Sequence, residues 1–220
     1  MTITLNDAGK RFNRDWIFRH LNYEFNTGHS YAITGPNGSG KSTLLQSVAG
    51  AIGISEGRID YTATAVNAAN SGGPNPAAVG GPIPPENAYR HLSLAAPYLQ
   101  VIEEMTVTEF LHFHAAFKPL LPGYPAKEII RRVGLETAAH KQIRYYSSGM
   151  KQRVRLAQAL FSDTSIVLLD EPCTNLDTDG IALYRQLIHE NTRDRLVIVS
   201  SNDVQEYDFC EEKINIMGYK

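Results

Sequence analysis

The stretch GPNGSGKST at residues 35–43 limits this chain more than any other feature. Gly35, Gly40, Lys41 and Ser42 meet the template G-x-x-x-x-G-K-[ST], and the flanks are those the template needs. HSYAIT (29–34) reads as a buried strand, and KSTLLQSV (41–48) as a helix stopped by Gly50. Such a loop cradles phosphate for a geometric reason. Its glycines let backbone N–H groups face one anion, and the helix start adds partial positive charge at the same point. Gly35, Pro36, Asn37, Gly38, Ser39, Gly40, Lys41, Ser42 and Thr43 are the candidate phosphate-contacting residues. Lys41 reaches the outer phosphates, and the Ser42 hydroxyl is a candidate Mg2+ ligand.

The rest of the chain supplies an α/β setting for that loop. Ile3 and Leu5, then Leu21, Tyr23 and Phe25, alternate with polar residues and predict antiparallel strands with one covered face. A third strand is expected at Gly57–Tyr61. Residues 62–88 are rich in Ala, Asn, Gly and Pro, with almost no large apolar side chain before Ile83, and read as a flexible insertion. Thr106–Glu109 resembles a capping box before Phe110, Leu111, Phe113 and Phe117. His112 and His114 lie two apart and so face opposite sides of that helix, which is no metal pair. Pro119, Pro122 and Pro125 end it, and KEIIRRVGL begins another. A further helix runs from Gly149, with Met150, Val154, Ala157, Leu160 and Phe161 on one face. SIVLL (165–169) and LVIVSS (196–201) are short continuous apolar runs typical of buried parallel strands, with a helix over 179–191 between them. Strands alternating with helices imply a parallel sheet covered on both faces, with the ligand beyond its carboxyl end.

SIVLL leads into Asp170 and Glu171. In a chain with a phosphate loop these divide their work. Asp170 holds Mg2+, and Glu171 accepts a proton from attacking water. The formal net charge of −2 gives no electrostatic footprint for nucleic acid, so no such partner is expected. Two cysteines, Cys173 and Cys210, make neither a disulfide framework nor a CxxC metal pair, which fits a reducing compartment. The opening MTITLNDAGK does not read as a signal peptide, and no apolar run is long enough to span a bilayer. Any membrane part is therefore expected on another chain.

With these elements placed, the chain resembles the nucleotide-binding subunit of ATP-binding cassette (ABC) transporters along essentially its whole length. YSSGMKQR (146–153) is similar to the family signature L-S-G-G-Q followed by x-Q-R. Ser147 and Gly149 match it, while Tyr146, Ser148 and Met150 depart. TNLD (174–177) matches the family's D-loop, which implies a dimer-interface role for Asp177. Phe12 stands where the family places an aromatic against adenine, with Trp16 as the alternative. Two catalytic positions depart. The glutamine slot of the Q-loop falls on Pro97, with Gln100 three residues late, and the switch histidine is replaced by Asn202. An amide donates a hydrogen bond to phosphate but relays no proton. Glu171, Lys41 and Asn202 are thus the candidate catalytic residues of a slow ATPase.

The resemblance implies one ABC ATPase domain over 1–220. It has a P-loop NTPase, RecA-like core with a parallel sheet, an antiparallel β region and a small helical subdomain. Residues 1–95 and 150–220 form the core, and 96–149 the helical and signature part. ATP and Mg2+ are the implied cofactors. A homodimer, or a dimer with a related ATPase subunit, would sandwich the nucleotides and drive a separate transmembrane permease. That places the chain in the cytoplasm, peripheral at the inner face of the cell membrane. The variant signature is similar to that of ABC-2 exporter ATPases and points to export. A soluble ABC ATPase acting on a protein assembly, such as an iron–sulfur scaffold, and a degenerate dimerisation module are the alternatives.

Overall fold

A computed structural model describes residues 1–63 and 80–220. The chain begins with two long strands, β1 (Thr2–Phe12) and β2 (Asp15–Asn26), paired antiparallel from Thr2↔Asn26 to Phe12↔Asp15. Ile3, Leu5, Leu21 and Phe25 are fully buried, as their alternation predicts, with Tyr23 partly buried against them; Phe18 joins them across a register irregularity. Next come β3 (Ser30–Thr34) and α1 (Lys41–Val48), the strand and helix expected around the phosphate loop. β4 (Glu56–Ala63) and β5 (Gly81–Ile83) complete a four-stranded sheet ordered β2-β1-β4-β5.

The expected flexible insertion over 62–88 falls largely on residues 64–79, which lie outside the described residues. Its described ends are regular. Thr62 and Ala63 pair with Pro82 and Gly81, and Pro85–His91 form a 3-10 helix. Composition bears on side-chain burial, whereas ladder pairing needs only backbone.

The second sheet is entirely parallel. It holds β6 (Leu92–Ala95), β7 (Ile166–Asp170), β8 (Leu196–Ser200) and β9 (Glu212–Asn215) with β3, in the order β6-β7-β8-β3-β9. Alternate residues of β7 enter different cores. Ile166 and Leu168 join β1, β2 and α1, while Val167 and Leu169 join the helices on the other side. Burial on both faces is why β7 and β8 read as unbroken apolar runs. Each such side chain contributes about 1.5–3 kcal/mol through burial.

The helical side contains α2 (Val107–Ala115), α3 (Ala126–Arg132), α4 (Ser148–Leu160), α5 (Thr178–Asn191) and the short α6 (Val204–Tyr207). The capping box at Thr106 and Glu109 is formed in both directions. His114 donates to or accepts from Ser162 at 2.7 Å and is pushed down to about 4 by burial and by Lys118. His112 is exposed, so the two histidines do not converge. Arg195, just before β8, is buried and held by the Leu160, Ser162, Thr164 and Asn191 carbonyls, tying the amino ends of the sheet together. Among the described residues no helix is long and apolar enough to cross a membrane.

Candidate functional site

The parallel sheet brings four loops to one edge. The phosphate loop leaves β3, and its neighbours on the sheet are the loops leaving β8, β7 and β6 in turn. Gly40 caps α1 with φ 100°, a conformation L side chains rarely adopt, and a Cβ there would lie 2.2 Å from Ile17 Cγ2. A Cβ on Gly35 would lie 2.8 Å from Ser39 Oγ. The curl therefore depends on glycine at both ends. No side chain caps α1, so its first-turn donors remain for a ligand. Lys41 is 5% exposed, and its amine donates to the Gly35 and Pro36 carbonyls at 3.0 and 3.2 Å. It is held by neutral oxygens, which an anion can replace.

Asp170 ends β7 at 2% exposure, in register with Ser200. Among the described residues its Oδ1 is buried without a hydrogen-bond partner, as is Ser39 Oγ in the phosphate loop. Glu171 follows with φ 42°, its N–H donating to the Ser200 carbonyl at 2.9 Å. That turn aims Glu171 into a cleft of about 240 Å³ that it shares with Ile17, Asn37, Gly38, Gly40, Lys41, Ser42 and Thr43. Asn202 is exposed two residues past the end of β8, the strand beside β7. The described residues thus bring the phosphate loop, Asp170, Glu171 and Asn202 to one edge. A roomier cleft of about 430 Å³ lies at the opposite end of β3 and β8, lined by Gly28 and Arg195 among others, with no phosphate loop.

Ser147, Gly149 and Asp177 lie elsewhere. They line a second cleft of about 350 Å³ with Asn175 and Arg153, and none of its residues lines the first. Ser147 caps α4 by accepting from Met150 N at 3.2 Å. Asp177 caps α5 through Gly180 N at 2.8 Å. A Cβ on Gly149 would come within 2.9 Å of the Asn175 carbonyl, so signature and D-loop pack closely there. Phe12 does not line the first cleft. It is 46% exposed, with the Lys10 amine 4.8 Å from its ring centre. Trp16 carries the Arg19 guanidinium at 4.3 Å and that of Arg11 at 5.4 Å, so a base would have to displace an arginine there.

Gln152, Arg155 and Glu206 tie these loops together, Tyr98 lies on one of them, and sequence reading singles out none of the four. Gln152 is fully buried and donates to the Pro172 carbonyl at 2.8 Å. Arg155 bridges Gln152 Oε1 at 3.3 Å and the Leu99 carbonyl at 2.7 Å. Glu206 is buried, raised by that burial, and accepts from Cys173 N at 2.7 Å. Tyr98 follows Pro97; burial of its hydroxyl end and the charge of Asp170 push it up to about 12. Gln152 had a visible signal, since it sits one turn before Leu156 on the buried face of α4 and interrupts an apolar stripe. Gln100 is exposed and makes no side-chain hydrogen bond to a described residue. The C-terminal 3-10 turn (Ile216–Tyr219) lies behind the phosphate loop, and Lys220 donates to the Ser39 carbonyl at 2.6 Å.

The site fits a nucleotide with a divalent cation. The cradle has no room for a Cβ at Gly40, the helix start is uncapped, and the unpaired Asp170 Oδ1 and the Ser42 hydroxyl are oxygen donors suited to a hard ion.

Comparison with known proteins agrees. The family described as ABC transporter matches residues 18–174. The cytochrome c biogenesis ATP-binding export protein CcmA of Agrobacterium fabrum is 29% identical, over 86% of this chain and 82% of that protein. The phosphonates import ATP-binding protein PhnC 2 of Oceanobacillus iheyensis is also 29% identical, over 87% of this chain and 76% of that protein. Among solved structures, a dimeric bacterial ABC transporter cassette superposes with a TM-score of 0.74 at 21% identity, covering 97% of this chain and 94% of the other.

Proposed function

The chain belongs to the ABC transporter family of ATP-binding subunits, which are ATPases, and from this we propose that it energises a separate transmembrane permease. The observation that carries the reading is the cleft in which buried Lys41 and the uncapped start of α1 face Glu171 on the neighbouring turn. Lys41 exchanges the Gly35 and Pro36 carbonyls for phosphate oxygens as ATP enters. Gly35, Pro36, Asn37, Gly38, Ser39, Gly40 and Thr43 wrap the phosphates with backbone and hydroxyl donors. Phe12, exposed at the end of its hairpin, stacks on the base. Ser42 and Asp170 hold Mg2+, whose chemistry when bound is to neutralise charge on the phosphates.

Hydrolysis follows from the remaining groups. Glu171 takes a proton from water as the water oxygen bonds to the γ-phosphorus and the bond to the β-phosphate oxygen breaks. Asn202 supplies one amide hydrogen bond to the phosphate and no proton relay. Ser147 and the start of α4 from a second copy, or from a related subunit, close over the same phosphate. Asp177 and Gly149 lie at that interface. The separate lining of the two clefts supports an arrangement of two chains, each closing over the other's phosphate loop. The partition of the domain into core (1–95, 150–220) and helical part (96–149) serves this closure. Docking on the permease would hold the chain at the inner face of the cell membrane.

Export is our reading of direction, supported by the variant signature around Ser147. The equal identity to an export and an import subunit shows that similarity alone does not set direction. The test is phosphate release from Mg·ATP by the purified chain, alone and with the membrane protein it co-purifies with in detergent. Hydrolysis that Glu171→Gln removes, and a co-purifying chain with several apolar spans, are the expected results. Turnover surviving in Glu171→Gln would displace the proposed base.

A further inference from the structure

The phosphate loop is held from behind by a segment that has no part in the hydrolysis proposed above. β9 pairs with β3 as far as Thr34↔Asn215, so the chain leaving β9 runs beside the start of the loop. The turn that follows is anchored at several points. Asn215 caps it by accepting from Met217 N at 3.0 Å, and Tyr219 packs against the core shared by β1 and β2. Ile216 is fully buried against the loop. A Cβ on Gly35 would lie 2.9 Å from Ile216 Cγ2, and one on Gly40 3.6 Å from Ile216 Cδ1. This anchoring brings Lys220 to the loop, where its amine donates to the Ser39 carbonyl at 2.6 Å. The α1 ladder begins with Leu44 N on the Gly40 carbonyl at 2.9 Å, so the Ser39 carbonyl stands outside it. Ser39 Oγ is buried without a hydrogen-bond partner among the described residues, so its hydroxyl does not fix this part of the loop.

The Ser39–Gly40 peptide faces two ways. Gly40 lines the first cleft and Ser39 does not. A trans peptide points its carbonyl and the following N–H in opposite directions, and no cis peptide occurs among the described residues. A carbonyl fixed behind the loop therefore turns the Gly40 N–H to the front. We propose that Lys220 is a positioning residue for the phosphate loop. Its ammonium pins the Ser39 carbonyl, so that the Gly40 N–H stays aimed at the phosphates. Its charge also polarises that peptide, which makes the N–H a stronger donor to an anion. Lys41 meets the phosphates from within the cleft, and Lys220 acts through the backbone from the other side. This rests on the ATPase reading and deepens it. Lys220 is exposed, so solvent screens its charge and the effect is that of one ordinary hydrogen bond, about fivefold in an equilibrium.

The test is binding of a fluorescent ATP analogue to the full chain, with inorganic triphosphate as competitor. Wild type, Lys220→Met, Lys220→Arg and Lys41→Ala are compared, and thermal unfolding checks that the fold is kept. Lys220→Met keeps an unbranched apolar stem and removes the charge, while Lys220→Arg keeps a cationic donor. Lys220→Met should bind both the analogue and triphosphate about fivefold more weakly, and Lys220→Arg should stay within about twofold of wild type. Wild-type affinity in Lys220→Met, alongside lost binding in Lys41→Ala, overturns this inference alone. Weakening for the analogue but not for triphosphate also overturns it, because the effect would then lie on the base or sugar. Equal weakening in Lys220→Met and Lys220→Arg overturns it as well, since the cation would not be what matters. If Lys41→Ala binds the analogue as tightly as wild type, the ATPase reading and this inference fall together.

Discussion

Two helix starts in this chain offer an anion the same backbone dipole and are prepared for it in opposite ways. α1 follows a left-handed glycine, has no side-chain cap, and carries a buried lysine in its first turn. α4 follows Ser147, whose hydroxyl is already engaged with Met150 N, and the cation in its cleft, Arg153, lies 3.7 Å from Asp177. The first is, on our proposal, a whole phosphate site with free donors. The other spends its cap on its own helix and its cation on the D-loop, leaving only backbone and a shared hydroxyl. The difference is what the proposed function turns on: a start with free donors suits binding alone, and a start with its donors engaged suits a second wall.

The sharpest break in the comparison is Lys41→Ala. Hydrolysis should vanish and nucleotide affinity fall at least tenfold, about 1.4 kcal/mol, in a fluorescent ATP titration. An unchanged affinity would put α1 on the same footing as α4. Ser147→Arg should act on the other wall only. In the Glu171→Gln background it should prevent the ATP-dependent doubling of mass in size-exclusion, while monomer affinity stays within about twofold, since that cleft is separate. A dimer that still forms would mean that α4 is not the closing wall.

Asn202→Ala should lower single-turnover hydrolysis by about tenfold. This is less than the 10²–10³ of a preorganised oxyanion donor, because Asn202 is exposed. A wild-type rate would remove it from the reaction.

The smallest effect lies away from both walls, at His114. Its folded value of about 4 is below the ordinary 6.5, so the native state binds fewer protons than the unfolded one between those values. Its neutral form therefore contributes stability that is full above about pH 6.5 and is lost as pH falls toward 4. His114→Gln should flatten the wild-type pH dependence of denaturant midpoint across that window and leave ATP affinity alone.

Local pattern made the site's parts legible. The phosphate loop, the strand ending at Asp170, the Thr106 capping box and the serine-capped helix at Ser147 are all set by neighbours within a few residues. The parallel strands were readable because burial on both faces leaves no alternation in SIVLL or LVIVSS. What escaped reading is assembled from distant segments. β9 and the turn behind the phosphate loop, with Ile216 and Lys220, carry no local signature of that role. The same holds for Arg155 on Leu99 and for Glu206 on Cys173, whose partners are fixed by topology. The 62–88 segment was read from composition, and composition is silent on backbone pairing such as Thr62 with Pro82.

Glu171 sits at φ 42°, where an L residue bears about 1–2 kcal/mol that glycine would not. Glycine would forfeit roughly 0.5–1 kcal/mol of that relief through the greater freedom of its unfolded chain. The fold taken alone is therefore indifferent to glutamate here, or slightly better off without it. Glu171→Gly should match or exceed wild type in denaturant midpoint while losing turnover. At this one position stability and the proposed chemistry point to different amino acids, and the residue present is the one the proposed chemistry needs.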